Sequence, residues 1–371
     1  MRGSFWLGHI LGIPVAINYT WFFAIALIAW SLAGSYYPQR APGFDESIYW
    51  TMGLASALLL FASVLVHEFG HALTARRFGL ETQAIILFLF GGVAQIASEP
   101  STPRAEFRVA IAGPLTSLAL AAACRLIVPL LGARPIGDIV SYLAVVNLLL
   151  GVFNLVPGFP LDGGRILRAA LWARSGSLER ATRTAARAGQ LVAMLFIAGG
   201  MLYVFRGNIV AGVWLILIGW FLDTGAQASY QQVVVRHGLG DVRVGTIMSR
   251  DLHTIEPHLT VERAIAEYFL PYKHNGFPVT LGDHLIGIIT MQDVTAVPGD
   301  RRGAVTVRDV MTPRERLKTV SVNASAYDAF AKMSQDHIGR LLVLDEQGNL
   351  VGIVTRSDLL HVLRLRADAA A

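Results

Sequence analysis

His67-Glu68-Phe69-Gly70-His71 sets two imidazoles and a carboxylate within five residues of one another. On a helix His67 and His71 are one turn apart and point the same way, so both can hold one metal ion while Glu68 reaches the water bound to it. This H-E-x-x-H spacing is the arrangement of zinc hydrolases. Three fixed positions can match by chance, but the setting argues otherwise. The motif ends an apolar run that begins at Leu58, and an ionisable group at the centre of a membrane helix costs about 2.5–3.5 kcal/mol, so groups retained there mark functional sites.

Two histidines leave a four-coordinate ion short, and catalytic zinc sites usually take three protein ligands and leave the last position to water. The one cysteine, Cys124, lies in an apolar segment, which removes a cysteine-based zinc site and any internal disulfide. Asp162 is the best-placed carboxylate. It sits in Asn154-Leu155-Val156-Pro157-Gly158-Phe159-Pro160-Leu161-Asp162-Gly163-Gly164-Arg165, at the end of a neighbouring apolar span. Two prolines stop that helix and two glycines let backbone pack close, which would hold Asp162 on a fixed, partly unwound segment. A plain turn residue is the alternative for Asp162.

The elements that must position these groups lie in a membrane by composition. Of 371 residues 54% are hydrophobic and 15% charged, against about 25% charged in soluble domains. The net charge of +5 comes from arginines beside apolar spans, so flanking membrane charge explains it and a nucleic-acid partner is not expected. Spans are expected at Val15 to Gly34, Tyr49 to Ala75, Phe107 to Leu131, Ile139 to Val156, Ala188 to Phe205 and Ile209 to Leu222. The first lacks the cleavage site and short core of a signal peptide and reads as a retained helix. Ile85 to Ile96, broken by Gly91-Gly92 and too short to span, reads as a re-entrant, β-hairpin-like segment that would offer a strand edge beside the site; a short buried helix is the alternative.

Arg76, Arg77, Arg104, Arg165, Arg168, Arg174, Arg180, Arg183 and Arg187 fall on one side of these spans, and little beyond Arg40, Arg134 and Arg206 on the other. The excess places the His-Glu motif and Asp162 toward the cytoplasm. Ile166 to Arg187 reads as one amphipathic, interfacial helix. An even number of crossings returns the chain to the cytoplasm, so residues after Asp223 are expected to be soluble.

That tail repeats itself. Val244-Gly245-Thr246-Ile247-Met248 recurs as Val307-Arg308-Asp309-Val310-Met311, and Gly287-Ile288-Ile289-Thr290-Met291-Gln292-Asp293 as Gly352-Ile353-Val354-Thr355-Arg356-Ser357-Asp358. Duplication signals two copies of one α/β unit that pack together. In each, a threonine and an aspartate three residues apart, where strand turns into helix, could hold a ribose while helix amides face a phosphate. Ordinary capping by the same pair is the alternative.

Together the His-Glu motif and the Asn154-to-Gly164 segment make residues 1–225 resemble the site-2 protease family of intramembrane zinc metalloproteases. The resemblance implies that His67, His71 and Asp162 ligate zinc, that Glu68 is the general base, that Asn154 is a polar residue near the reacting carbonyl, and that Gly91-Gly92 belongs to the family's re-entrant loop. After a linker at 226–243, residues 244–300 and 301–371 resemble a tandem pair of CBS domains, modules that often bind adenine nucleotides; Thr290, Asp293, Thr355 and Asp358 match the ribose-contacting positions. The fold class implied is a multi-pass α-helical membrane protein of about six transmembrane helices followed by a soluble α/β module. The substrate implied is a membrane protein with a transmembrane segment, such as an anti-sigma factor, and the Ala- and Arg-rich composition without organelle targeting fits a prokaryotic plasma membrane. A homodimer through the CBS pair is a further expectation. A CBS-gated transporter or channel is the competing class, but a permeation path predicts polar residues spread over several helices and here they gather in two segments.

Overall fold

The computed structural model describes residues 3–96, 100–131, 135–282 and 284–369. It divides into two compact units, residues 1–231 and 232–371. Six helices are long and apolar enough to cross a membrane: α1 (Thr20–Arg40), α2 (Glu46–Arg77), α3 (Pro103–Ile127), α4 (Ile136–Asn154), α6 (Leu178–Phe205) and α7 (Ile209–Gly240). A shorter helix, α5 (Asp162–Ser175), precedes α6. Thr102 caps α3, its hydroxyl accepting from the Ala105 amide, with Pro103 in the first turn, where a missing N–H is harmless.

A four-stranded sheet stands against α2. Its order is β1 (Ser4–Ile10), β2 (Ile13–Asn18), β3 (Thr82–Phe88), β4 (Gly91–Ile96). The pairs β1–β2 and β3–β4 are antiparallel, and β2–β3 is parallel. Val15 and Ile85 face each other in that parallel register and pack on Phe69 and Ala72 of α2, so the core of the sheet rests on the helix that carries the His-Glu motif. The Gly91-Gly92 region is therefore a hairpin and not a short helix. Its strand β4 is last in the sheet order.

Three expectations need correction. Val15 to Asn18, expected within the first span, is strand β2. It is covered on both faces and so reads as one apolar run with the helix after it. The boundary is set by Asn18, whose side-chain oxygen accepts from the Thr20 amide at 3.1 Å and hydroxyl at 2.8 Å. The single helix expected over Ile166 to Arg187 is two: Gly176, at φ +67°, ends α5, and Ser177 caps α6. Residues 226–240, within the expected linker, are helical and continue α7. Arg168, counted among the flanking surface charges, is buried. Arg134 lies outside the described residues.

The second unit holds two three-stranded sheets, β5 (Gly276–Leu281), β6 (His284–Thr290) and β7 (Thr312–Pro313), and β8 (Thr319–Ser321), β9 (Arg340–Leu344) and β10 (Leu350–Thr355). The repeats exchange their leading segments. Thr312–Pro313 of the second pairs with β6 of the first, while Ser249 of the first bridges Ile353 of the second. Glycines make this possible: a Cβ on Gly287 would strike the Met311 sulfur, and one on Gly352 the Met248 sulfur. The duplicated Met and Gly positions thus fit each repeat into the other.

Candidate active site

His67 and His71 project from α2 toward Asp162, the first residue of α5. The expected partly unwound segment is thus a helical first turn, preceded by extended Leu161. Asp162 Oδ2 stands 3.2 Å from His67 Nε2 and 3.1 Å from His71 Nε2, and the two nitrogens are 3.2 Å apart. Three ligands about 2.0–2.1 Å from one ion at near-tetrahedral angles are separated by about 3.3 Å, so the triangle matches a shared zinc-sized cation. Among the described residues these three are the one group of His, Cys, Asp or Glu so arranged. Both imidazoles are 4% exposed.

The far side of each ring is fixed. His71 donates Nδ1–H to the Val109 carbonyl at 2.7 Å, and His67 Nδ1 meets the buried Ser117 hydroxyl at 2.9 Å. With Nδ1 protonated in both, each Nε2 presents a lone pair to the centre, the tautomer that metal ligation requires. Both anchors lie on α3, which sequence reading did not connect with the site. Gly113 on the same helix faces the centre directly: a Cβ there would fall on both Nε2 atoms. This donor set and its cradle fit a zinc ion.

Asp162 is delivered by close backbone packing. Side chains at Gly163 and Gly164 would collide with the backbone of Leu155 to Phe159, so only glycines let that segment fold over the start of α5. Helix α5 is also tied down by Arg168, whose guanidinium pairs with Glu106 of α3 (Nε to Oε1 2.6 Å, with a second contact from Nη2) and stands 5.2 Å over the Phe159 ring. Arg168 is 6% exposed and Glu106 1%. This pair was missed in the sequence, where Arg168 looks like one more flanking cation.

Glu68 points to the hairpin. Its Oε2 accepts from the Ala94 amide of β4 at 3.0 Å, and Gly92 admits it, since a Cβ there would press on the Glu68 side chain. A cleft of about 270 Å³ joins Glu68, the two histidines and Asp162 to Asn154 and Arg165. Asn154 lines the cleft but donates Nδ2–H to Leu150 of its own helix at 3.0 Å. Arg165, read earlier only for its charge, lies at the cleft.

The four tail positions sort differently. Thr290 donates its amide and hydroxyl to Asp293 Oδ2 at 2.8 and 2.7 Å, and Thr355 does the same to Asp358 at 2.8 Å each. All four therefore cap helices. Thr290 also lines a cavity of about 420 Å³ with Arg316, Lys318 and Arg340; Thr355 and Asp358 line another of about 310 Å³. Burial holds the Arg340 guanidinium below its usual pKa.

Comparison with known proteins identifies the families of both parts of the chain. Peptidase family M50 matches residues 55–138 and 130–197, and the CBS domain matches residues 244–299 and 307–365. Rip3 of Mycobacterium tuberculosis, which carries the name of a zinc metalloprotease, is 38% identical over 98% of this chain and 93% of its own. A zinc metalloprotease of Methanocaldococcus jannaschii is 31% identical over 98% of this chain and 97% of its own. The solved site-2 protease from the same archaeon is 31% identical, covering 61% of this chain and 95% of that one with a TM-score of 0.46. With relatives of this identity along nearly its whole length, the chain belongs to peptidase family M50, the site-2 protease family of zinc metalloproteases, in a form that carries a CBS-domain pair after the protease part.

Proposed function

We propose that this protein hydrolyses peptide bonds within or near transmembrane segments of membrane-protein substrates, with His67, His71 and Asp162 holding zinc and Glu68 as general base. The observation that carries the reading is the convergence of the three donor atoms beside a carboxylate that is itself fixed to an edge strand. When bound there, zinc polarises a carbonyl and lowers the pKa of water from 15.7 to about 7.

The protein's own groups do the rest. With Oε2 anchored by the Ala94 amide, Glu68 keeps Oε1 free to take a proton from water and return it to the leaving nitrogen. A substrate carbonyl inside an intact helix is already hydrogen-bonded and shielded, so the scissile segment must be extended. An unwound segment alongside β4 would recover the lost bonds through strand addition and lie next to Glu68. Asn154 would exchange its bond to Leu150 for one to the substrate carbonyl.

The charge asymmetry supports a site toward the cytoplasm, with the tail on the same side. Arg316, Lys318 and Arg340 beside Thr290 support an adenine nucleotide as regulatory ligand of the CBS pair. The test of the catalytic reading is Glu68→Gln in purified protein with a membrane-spanning substrate. Zinc should stay and cleavage should stop; cleavage at the parent rate would refute the role of Glu68.

A further inference from the structure

A second polar cleft lies in the same unit, away from the metal donors. It occupies about 340 Å³ between α6 and α7 and is lined by Arg183, Arg187 and Gln190 on α6 with Gln227, Tyr230 and Gln231 on α7. The two helices run antiparallel. Gly200 lies against Gly212 and Ile216, Gly219 against Ala193 and Ile197, and Arg183 against Tyr230. Small residues bring the backbones together along the apolar part, where a Cβ on Gly200 would come within 2.6 Å of the Gly212 carbonyl.

Both helices change character at the cleft. On α6 the polar side chains end at Gln190, and Leu191, Met194 and Leu195 follow, all exposed. On α7 exposed Trp220 gives way to Asp223, Gln227, Tyr230 and Gln231. The borders of the two helices coincide, as they must if the headgroup layer of a bilayer crosses both at this height.

The arginines in the cleft are not equivalent. Arg183 is held: it donates Nε–H to the Tyr230 hydroxyl at 2.9 Å, stands over that ring at 5.6 Å and faces Glu179 at 3.6 Å. Arg187 has no polar partner among the described residues. Its guanidinium therefore keeps all five N–H donors for a ligand, beside the amides of Gln190 and Gln231. A phosphodiester matches this set, with its oxygens on Arg187 and its acyl chains along exposed Leu191 and Leu195.

We infer that the cleft between α6 and α7 binds the headgroup phosphate of an anionic phospholipid, with Arg187 as its principal contact. The site adjoins the support of the metal centre. Gly189, between Arg187 and Gln190, packs on the backbone of Gly158 and Phe159, and Gly225 of α7 packs on Pro160. An occupant of the cleft thus braces the segment that runs into Asp162.

The test is binding of a fluorescent phosphatidylglycerol to the full-length protein in neutral detergent, competed by unlabelled phosphatidylglycerol, phosphatidylcholine or inorganic phosphate. Arg187→Gln should weaken phosphatidylglycerol binding roughly fivefold. Arg180→Gln, an exposed arginine on the same helix outside the cleft, should leave it unchanged. Equal losses in the two variants would reduce the effect to general surface charge and overturn the site. Competition by inorganic phosphate or phosphatidylcholine as effective as that by phosphatidylglycerol would overturn the lipid assignment.

Discussion

The Glu68 carboxylate accepts a hydrogen bond of 3.0 Å from the backbone amide of Ala94 on the outermost strand of the sheet. That amide faces away from β3, so a proline at position 94 would remove the bond to Glu68 without breaking the ladder. Ala94→Pro should keep its zinc and lose about tenfold or more in cleavage rate, part of what general acid–base catalysis supplies. An unchanged rate would mean that the amide does not orient the base.

Ser117 tests the support of the proposed ligands. Its hydroxyl meets His67 Nδ1 at 2.9 Å, and losing such a partner typically costs about 10–100-fold in metal affinity or activity. Ser117→Ala should show a weakening of that size in zinc competition with a chelator, with helical content unchanged by circular dichroism.

Glu106 and Arg168 are buried together between α3 and α5. Splitting a buried ion pair typically costs about 3–5 kcal/mol. Arg168→Leu should therefore lower the unfolding temperature sharply, and adding Glu106→Leu should restore much of it. A second substitution that deepens the loss would show that the charges act separately.

Much of the candidate site is legible in the chain because the spacing of its residues is local. The spacing of His67 and His71 fixes one helical face, and the Pro and Gly residues around Asp162 mark a helix stop and close backbone packing, though not the new helix that begins at Asp162 itself. Its supports are not local. Val109 contributes a carbonyl that any residue has, Ser117 is one small polar residue in an apolar run, and Arg168 differs from its flanking neighbours only by what it meets. The strand at Ile13–Asn18 was hidden for another reason: covered on both faces, it lacks the alternation that marks a half-exposed strand, and only Asn18 before Thr20 signals the change.

The tail positions separate two roles in one experiment. Asp293 and Asp358 each accept from a threonine amide and hydroxyl at a helix start, so replacing either by alanine should cost about 1 kcal/mol with no nucleotide present. If the cavities take adenine nucleotides, ligand should raise the unfolding temperature of the parent protein, and the double variant should lose that rise as well. A double variant that is less stable yet still shifted by nucleotide would leave these aspartates as caps alone.

The central claim is that one metal ion is held by two imidazoles of α2 and a carboxylate of α5. Its most direct test is the zinc content of purified protein beside His71→Ala and Asp162→Ala. The parent should carry about one zinc per chain and each variant should lose most of it while staying folded. A folded Asp162→Ala variant that keeps its full zinc would contradict the account.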